Sequence, residues 1–182
     1  MTRVHLIEGP VGAGKSTFST ALAASIDGVH IPLDEWFAAL FSPDRPDGDF
    51  VPWYVERKER LLDLIWTHSR RILGSGRDVV LELGLIQRQQ RLQFCRRISN
   101  EGFPPRIHFL DAPLEVRRER VRCRNEERGP TFSMVVPDHV FEMASKLWEP
   151  PDELECEEFE IHFVTEDAKR RATPDEAGPH KS

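Results

Sequence analysis

Gly9-Pro10-Val11-Gly12-Ala13-Gly14-Lys15-Ser16 is the stretch that decides the fold of this chain. Its spacing, Gly-x-x-x-x-Gly-Lys-Ser, is that of a phosphate-binding loop. The glycines let the backbone turn tightly and aim its N–H groups inward at phosphate oxygens. A helix that begins near Lys15 adds the positive end of its dipole. Lys15 is then placed to reach the β- and γ-phosphates of a nucleotide, and Ser16 to ligate Mg²⁺. Gly9, Gly12, Ala13, Gly14, Lys15, Ser16 and Thr17 are the candidate contacts, with ATP and Mg²⁺ as the expected cofactors. The motif needs a strand before it and a helix after it. The apolar run from Arg3 to Glu8 predicts the strand, and the small and apolar residues from Ser16 to Ile26 predict the helix.

Outward from the loop, strands and helices alternate. Short apolar runs predict strands over 29–33, 79–83, 105–110 and 159–164. Helical spacing predicts a long amphipathic helix over 53–73 and shorter helices over 87–99, 114–127 and 137–147. The segment 42–52, rich in Pro and Asp, reads as a loop. This alternation implies an α/β fold, a three-layer sandwich around a five-stranded, mostly parallel sheet. Residues 1–166 form one domain in this reading, and 167–182 have the composition of a disordered tail. Ligands bind such sheets at the carboxyl ends of the strands, where the loop, Asp34, Glu82 and Asp111 gather.

Composition narrows the class. The chain has 182 residues and a net charge of −6, so it has no global basic footprint for nucleic acid or membrane. The 3 cysteines are widely spaced and suggest neither a disulfide framework nor a zinc site, which fits a cytoplasmic protein. The apolar start is too short for a signal peptide or a membrane span.

A phosphate loop alone does not separate a kinase from an ATPase or a GTP switch. Neither an Asn-Lys-x-Asp segment nor an apolar run ending in Asp-x-x-Gly is present, which argues against GTP. Asp34 follows the second strand and is the candidate general base for a substrate hydroxyl; it is equally a preferred residue for capping the helix it precedes. Glu82 interrupts the apolar strand Val79-Val80-Leu81-Glu82-Leu83. A carboxylate there is costly unless paired or used, so it serves metal, substrate or a salt bridge. Arg117 to Arg128 is an Arg-rich helix, with Arg117, Arg120, Arg124 and Arg128 on one face. Arg120, Arg124 and Arg128 are the candidate clamps on transferring phosphate, against the plainer reading of a solvated helix laced with Arg–Glu pairs.

With these motifs the chain resembles the small P-loop kinases, among them gluconate kinase, shikimate kinase, chloramphenicol phosphotransferase and the zeta toxins. The resemblance covers most of residues 3–165. Asp34 looks like the hydroxyl-activating base of the chloramphenicol enzyme. Leu110-Asp111-Ala112-Pro113 before the Arg-rich helix looks like the start of a lid spanning about 114–137. Trp148-Glu149-Pro150-Pro151 is similar to a segment that gluconate kinases carry after the lid. The family implies an ATP:alcohol phosphotransferase using Mg²⁺, with adenine held between a lid arginine, here Arg120, and the loop after the last strand, around Thr165. It departs from polynucleotide kinases, which carry Arg where this chain has Phe37. It departs from gluconate kinases, whose lid His-Phe pair is replaced by Thr131-Phe132.

The acceptor is expected between Asp34, the 42–53 loop and the 87–99 helix. Trp36, Phe37 and Trp53 are candidates for stacking on a sugar-like or drug-like ring, or for ordinary core packing. Arg88, Arg91 and Glu82 are candidate polar contacts. The expected function is phosphoryl transfer from ATP to a hydroxyl of a small molecule such as a sugar-like metabolite, nucleoside or antibiotic. The alternatives are a nucleotide-binding regulatory ATPase without a small acceptor, or a zeta-toxin-like kinase of a nucleotide sugar.

Overall fold

The computed structural model describes residues 2–48, 50–129 and 135–165. Thr131-Phe132 and the expected tail over 167–182 lie outside the described residues.

Five strands form one sheet: β1 (Val4–Glu8), β2 (Val29–Pro32), β3 (Val79–Glu82), β4 (Arg106–Leu110) and β5 (Glu160–Val164). Their spatial order is β2-β3-β1-β4-β5, and every pairing is parallel. The helices are α1 (Lys15–Ser25), α2 (Leu33–Phe41), α3 (Phe50–Gly74), α4 (Arg88–Asn100), α5 (Leu114–Glu127), α6 (Asp138–Leu147) and α7 (Glu153–Glu158). The segment expected as a loop over 42–52 holds one 3₁₀ turn, Ser42–Asp44, and the first turn of α3. The short α7 carries no apolar periodicity, which is why the sequence does not predict it; Asp152 caps it by accepting from the Glu155 N–H.

Strand alternation splits the core. Val4, Leu6, Ile31, Val79, Leu81 and Ile107 point to α3 and α4, where Trp66, Ile65, Leu61, Phe94 and Ile98 meet them. Ile7, Val80 and Leu110 point the other way, to Phe18 and Ala23 of α1. Trp66 is fully buried, and side chains of this kind stabilise the fold by about 1.5–3 kcal/mol each. On the α1 face, three histidines run across neighbouring strands. The His5 Nδ1 and His108 Nε2 atoms lie 3.0 Å apart, and the His108 ring stacks on His162 at 5.7 Å. No described helix is long and apolar enough to cross a membrane.

The topology brings the C-terminal ends of β1, β2 and β3 side by side. The turns that follow them, Gly9–Gly14, the start of α2, and Leu83–Gln87, therefore open onto one cleft.

Candidate functional site

The loop between β1 and α1 has the conformation that its glycines permit. Gly12 and Gly14 have φ of +81° and +92°, a region L side chains rarely adopt. A Cβ on Gly12 would stand 2.6 Å from the Arg117 carbonyl oxygen. Lys15 folds back and donates to the carbonyls of Gly9 and Pro10, at 2.9 and 3.0 Å. Ser16 donates from Oγ to Glu82 Oε1 at 2.9 Å, and His30 donates from Nε2 to Glu82 Oε2 at 3.2 Å. Burial opposes ionisation of Glu82, but the His30 hydrogen bond, the Lys15 charge and the Ser16 hydrogen bond outweigh it. Its carboxyl is held below the usual range. Glu82 is therefore an ionised carboxylate next to the loop's hydroxyl.

Asp34 lies in the first turn of α2 and makes no side-chain cap bond. Its side chain is accessible from the open cleft, yet the cleft walls enclose it. That enclosure raises its carboxyl above the ordinary aspartate value and Glu82 adds to the rise, while Lys58, Lys15 and Arg124 oppose it. Lys58 projects from α3 and donates to the Gly84 carbonyl at 2.7 Å. Burial lowers its pKa against the pull of Asp34. One cavity of about 1350 Å³ joins these groups; Lys15, Ser16, Thr17, Asp34, Lys58 and Glu82 all line it.

The Arg-rich helix divides its arginines among different tasks. Arg117 is buried and structural: its guanidinium donates to Ala112 O, to Val11 O at 3.1 Å and to Ser145 Oγ. It fastens α5 to the phosphate loop and to α6. Arg120 and Arg124 line the cavity, and an Arg120 Nη lies 4.0 Å from the position of a Cβ on Gly14. Arg118 and Arg122 form the Arg–carboxylate pairs of a solvated face, with Glu142 and Asp138. Arg128 ends α5 in a left-handed conformation, φ 49°, and is not among the described residues lining the cavity. Thr165, exposed after β5, is not among them either.

Several residues expected at the acceptor are placed elsewhere. Arg91 is 1 % exposed and forms a bidentate ion pair with Glu155 of α7, at 2.5 and 2.8 Å. Its Nη atoms also donate to Leu85 O and Glu149 O. It ties α4 to the 149–155 segment and does not line the cleft. Arg88 is held by Asp152 at 2.8 Å, while its N–H donates to the Glu149 carboxylate. Phe37 is buried beneath Trp53 and Tyr54, Trp36 packs on His68, and Trp53 lies under the Arg57 guanidinium. None of these three lines the cavity. Leu33, Phe37 and Phe41 share the i, i+4, i+8 face that α2 turns to the core, which leaves Asp34 facing the cleft.

Other residues take those places. Phe50, Tyr54, Val55, Lys58 and Leu62 line the cavity from α3, and Gln87, Gln90 and Gln93 line it from the α4 side. The available signal was a single lysine, Lys58, at i+4 from Tyr54 and i−4 from Leu62 on an otherwise apolar stripe. Glu8 is a further buried group. Neither carboxyl oxygen has a partner among the described residues, and burial pushes its pKa up to about 8 against Arg91, Lys15 and Lys58.

Residues 4–151 match the AAA_33 family of AAA domains. The chain belongs to that family. Among solved structures it is similar to a gluconokinase from Sinorhizobium meliloti 1021, at 22 % identity and a TM-score of 0.54, over 94 % of this chain and 89 % of that one. It is similar to Chaetomium thermophilum Kti12 in complex with ADP-AlF3, at 17 % identity and a TM-score of 0.67, over 93 % and 94 %. It is also similar to shikimate kinase from Acinetobacter baumannii in complex with shikimate, at 16 % identity and a TM-score of 0.59, over 94 % and 89 %. No curated protein matches the sequence significantly. The shared property is the fold of small P-loop kinases.

Proposed function

We propose that this protein is an ATP-dependent phosphotransferase that moves the γ-phosphoryl group to a hydroxyl of a small molecule, with Asp34 as general base. The observation that carries this reading is one continuous cavity of about 1350 Å³ bounded by the phosphate loop at one end and α3 and α4 at the other, with Asp34 on its wall. Single-ligand pockets occupy about 300–1,000 Å³, so this cavity has room for a nucleotide and a second molecule. A regulatory ATPase needs no such second space.

The loop glycines and Lys15 fit a triphosphate: the backbone cradle is preformed, and the Lys15 ammonium rests on carbonyls that a phosphate would replace. Among the described residues no cluster of three or more His, Cys, Asp or Glu is arranged to hold a metal. Ser16 with Glu82 fits Mg²⁺ instead, an ion that takes one or two carboxylates and completes its shell with water and phosphate oxygens. When bound, Mg²⁺ supplies charge neutralisation of the phosphates.

In the transfer step the acceptor hydroxyl gives its proton to the Asp34 carboxylate while its oxygen bonds to the γ-phosphorus. The bond from that phosphorus to the bridging oxygen breaks, and ADP leaves. Arg120 and Arg124 stabilise charge on the transferring group from the lid side.

Asp34→Asn is the test. Transfer should fall by about 10²–10⁴-fold, with ATP affinity, read by isothermal titration calorimetry, unchanged. Wild-type transfer rates in that variant would remove Asp34 from the mechanism.

A further inference from the structure

The acceptor half of the cleft holds most of its charges in pairs. All four arginines of α4 are engaged: Arg88 with Asp152, Arg91 with Glu155, Arg96 with Glu158 and Arg97 with Asp63. Only Arg97 among them lines the cavity, and its partner Asp63 lines it too, so the pair presents no net charge. Lys58 is the cavity-lining cation of α3; it is committed to the Gly84 carbonyl at 2.7 Å and faces Asp34. Glu35 and Glu59 add negative charge to the same wall. A carboxylate on the acceptor would find no unpaired guanidinium on α3 or α4, and Arg124 of α5, which also lines the cavity, faces Asp34 and Glu82 and is assigned to the transferring phosphate. Beside Glu35 and Glu59 it would meet like charges, a repulsive arrangement that selects against it.

What the wall offers is neutral. Gln87, Gln90 and Gln93 line the cavity, and their amides make no hydrogen bond within the described residues. Tyr54 and Leu62 line the cavity from α3, and Phe94 lines it from α4 itself. Primary amides beside apolar and aromatic surface recognise hydroxyl, carbonyl or amide groups on a largely apolar or ring-shaped body.

We propose that the acceptor is an uncharged alcohol, of nucleoside or glycoside character, read by Gln90 and Gln93, and that acceptors carrying a carboxylate are rejected. The proposal rests on the phosphotransferase reading.

The experiment uses the full chain and pairs that keep every hydroxyl and differ in the carboxylate: methyl glucuronate with glucuronate, methyl shikimate with shikimate, and uridine with its 6-carboxylate. Transfer is followed by ADP release and mass detection of the product. Binding is read separately by equilibrium dialysis with Asp34→Asn in the presence of a non-hydrolysable ATP analogue. The neutral member of a pair should be bound and phosphorylated at least about tenfold better. Gln90→Leu/Gln93→Leu should raise its KM by about tenfold, the scale of one or two lost hydrogen bonds, while leaving the KM for ATP unchanged. Gln90→Arg should shift preference towards the carboxylate member. Equal use of both members, or preference for the charged one, overturns the inference and leaves the phosphotransferase standing. Binding of neither member of any pair overturns it as well. ATP hydrolysis that no alcohol accelerates overturns the phosphotransferase reading itself, and this inference with it.

Discussion

The Ser16 hydroxyl and the Glu82 carboxylate meet at 2.9 Å across the end of the sheet, joining the start of α1 to the end of β3. They are 66 residues apart in sequence, and the pairing of β1 with β3 brings them together. Glu82 also accepts from His30 of β2, so three neighbouring elements converge on one carboxylate.

That convergence gives the first prediction. Glu82→Gln keeps the shape of the side chain and removes its charge. The apparent affinity for Mg²⁺ should fall by about 10–100-fold, the usual effect of disturbing a group that supports a metal site. Binding of ATP without the metal should change little. Metal titration of the ADP-release rate reads the first quantity and calorimetry the second. An unchanged Mg²⁺ dependence would return Glu82 to a purely structural role.

A second prediction concerns pH. Asp34 must be ionised to accept a proton, so kcat/KM should fall as pH drops through its folded-state pKa. Enclosure in the cleft raises that value above the ordinary aspartate value of 3.8, and Lys58 is the largest charge opposing the rise. Lys58→Met removes that charge, and the acid limb of the kcat/KM profile should move to higher pH. A limb that stays in place would separate Lys58 from the electrostatics of the base.

The phosphate loop was legible from its own eight residues because the motif is local: spacing, glycines and flanking elements are all contiguous. Asp34 and Glu82 were legible because each is a carboxylate at a strand end. The acceptor wall was not. Arg91 and Gln90 are neighbours on α4, and the sequence marks the arginine as the binding residue. A carboxylate 64 residues away, Glu155, reverses that by burying the guanidinium and leaving the amide on the cavity. Likewise Phe37 and Tyr54 are both aromatic, and only the packing of α2 on α3 decides which faces the core. Long-range pairing of charges has no local signature.

The Arg91–Glu155 pair should also dominate the stability of the α4–α7 connection. Both side chains are 1 % exposed. Glu155→Leu leaves a buried guanidinium without its partner, a change that costs about 3–5 kcal/mol and should lower Tm by on the order of 10 °C in a chain of this size. Arg91→Met/Glu155→Leu removes both charges and should recover most of the loss. Differential scanning calorimetry of the single and double variants measures this. Additive losses in the double variant would mean that the two residues act independently.

The stacked histidines of β1, β4 and β5 predict acid sensitivity. Burial, with the charges of His5, His162 and Arg106, pushes the His108 pKa from 6.5 down to about 4. The folded state therefore binds fewer protons than the unfolded state between those values, and stability is lost as pH falls below about 6.5 and through the folded pKa. For one group held neutral, the loss by pH 5 is about 2 kcal/mol. Glu8, whose carboxyl is pushed up to about 8, shifts stability the opposite way over the same interval, so the His108 share is read as a difference between variants. Between pH 7 and pH 5 the urea midpoint of the wild type should change less favourably on acidification than that of His108→Phe. Equal midpoint changes in the two proteins would mean that the fold accommodates a protonated His108 within the stack.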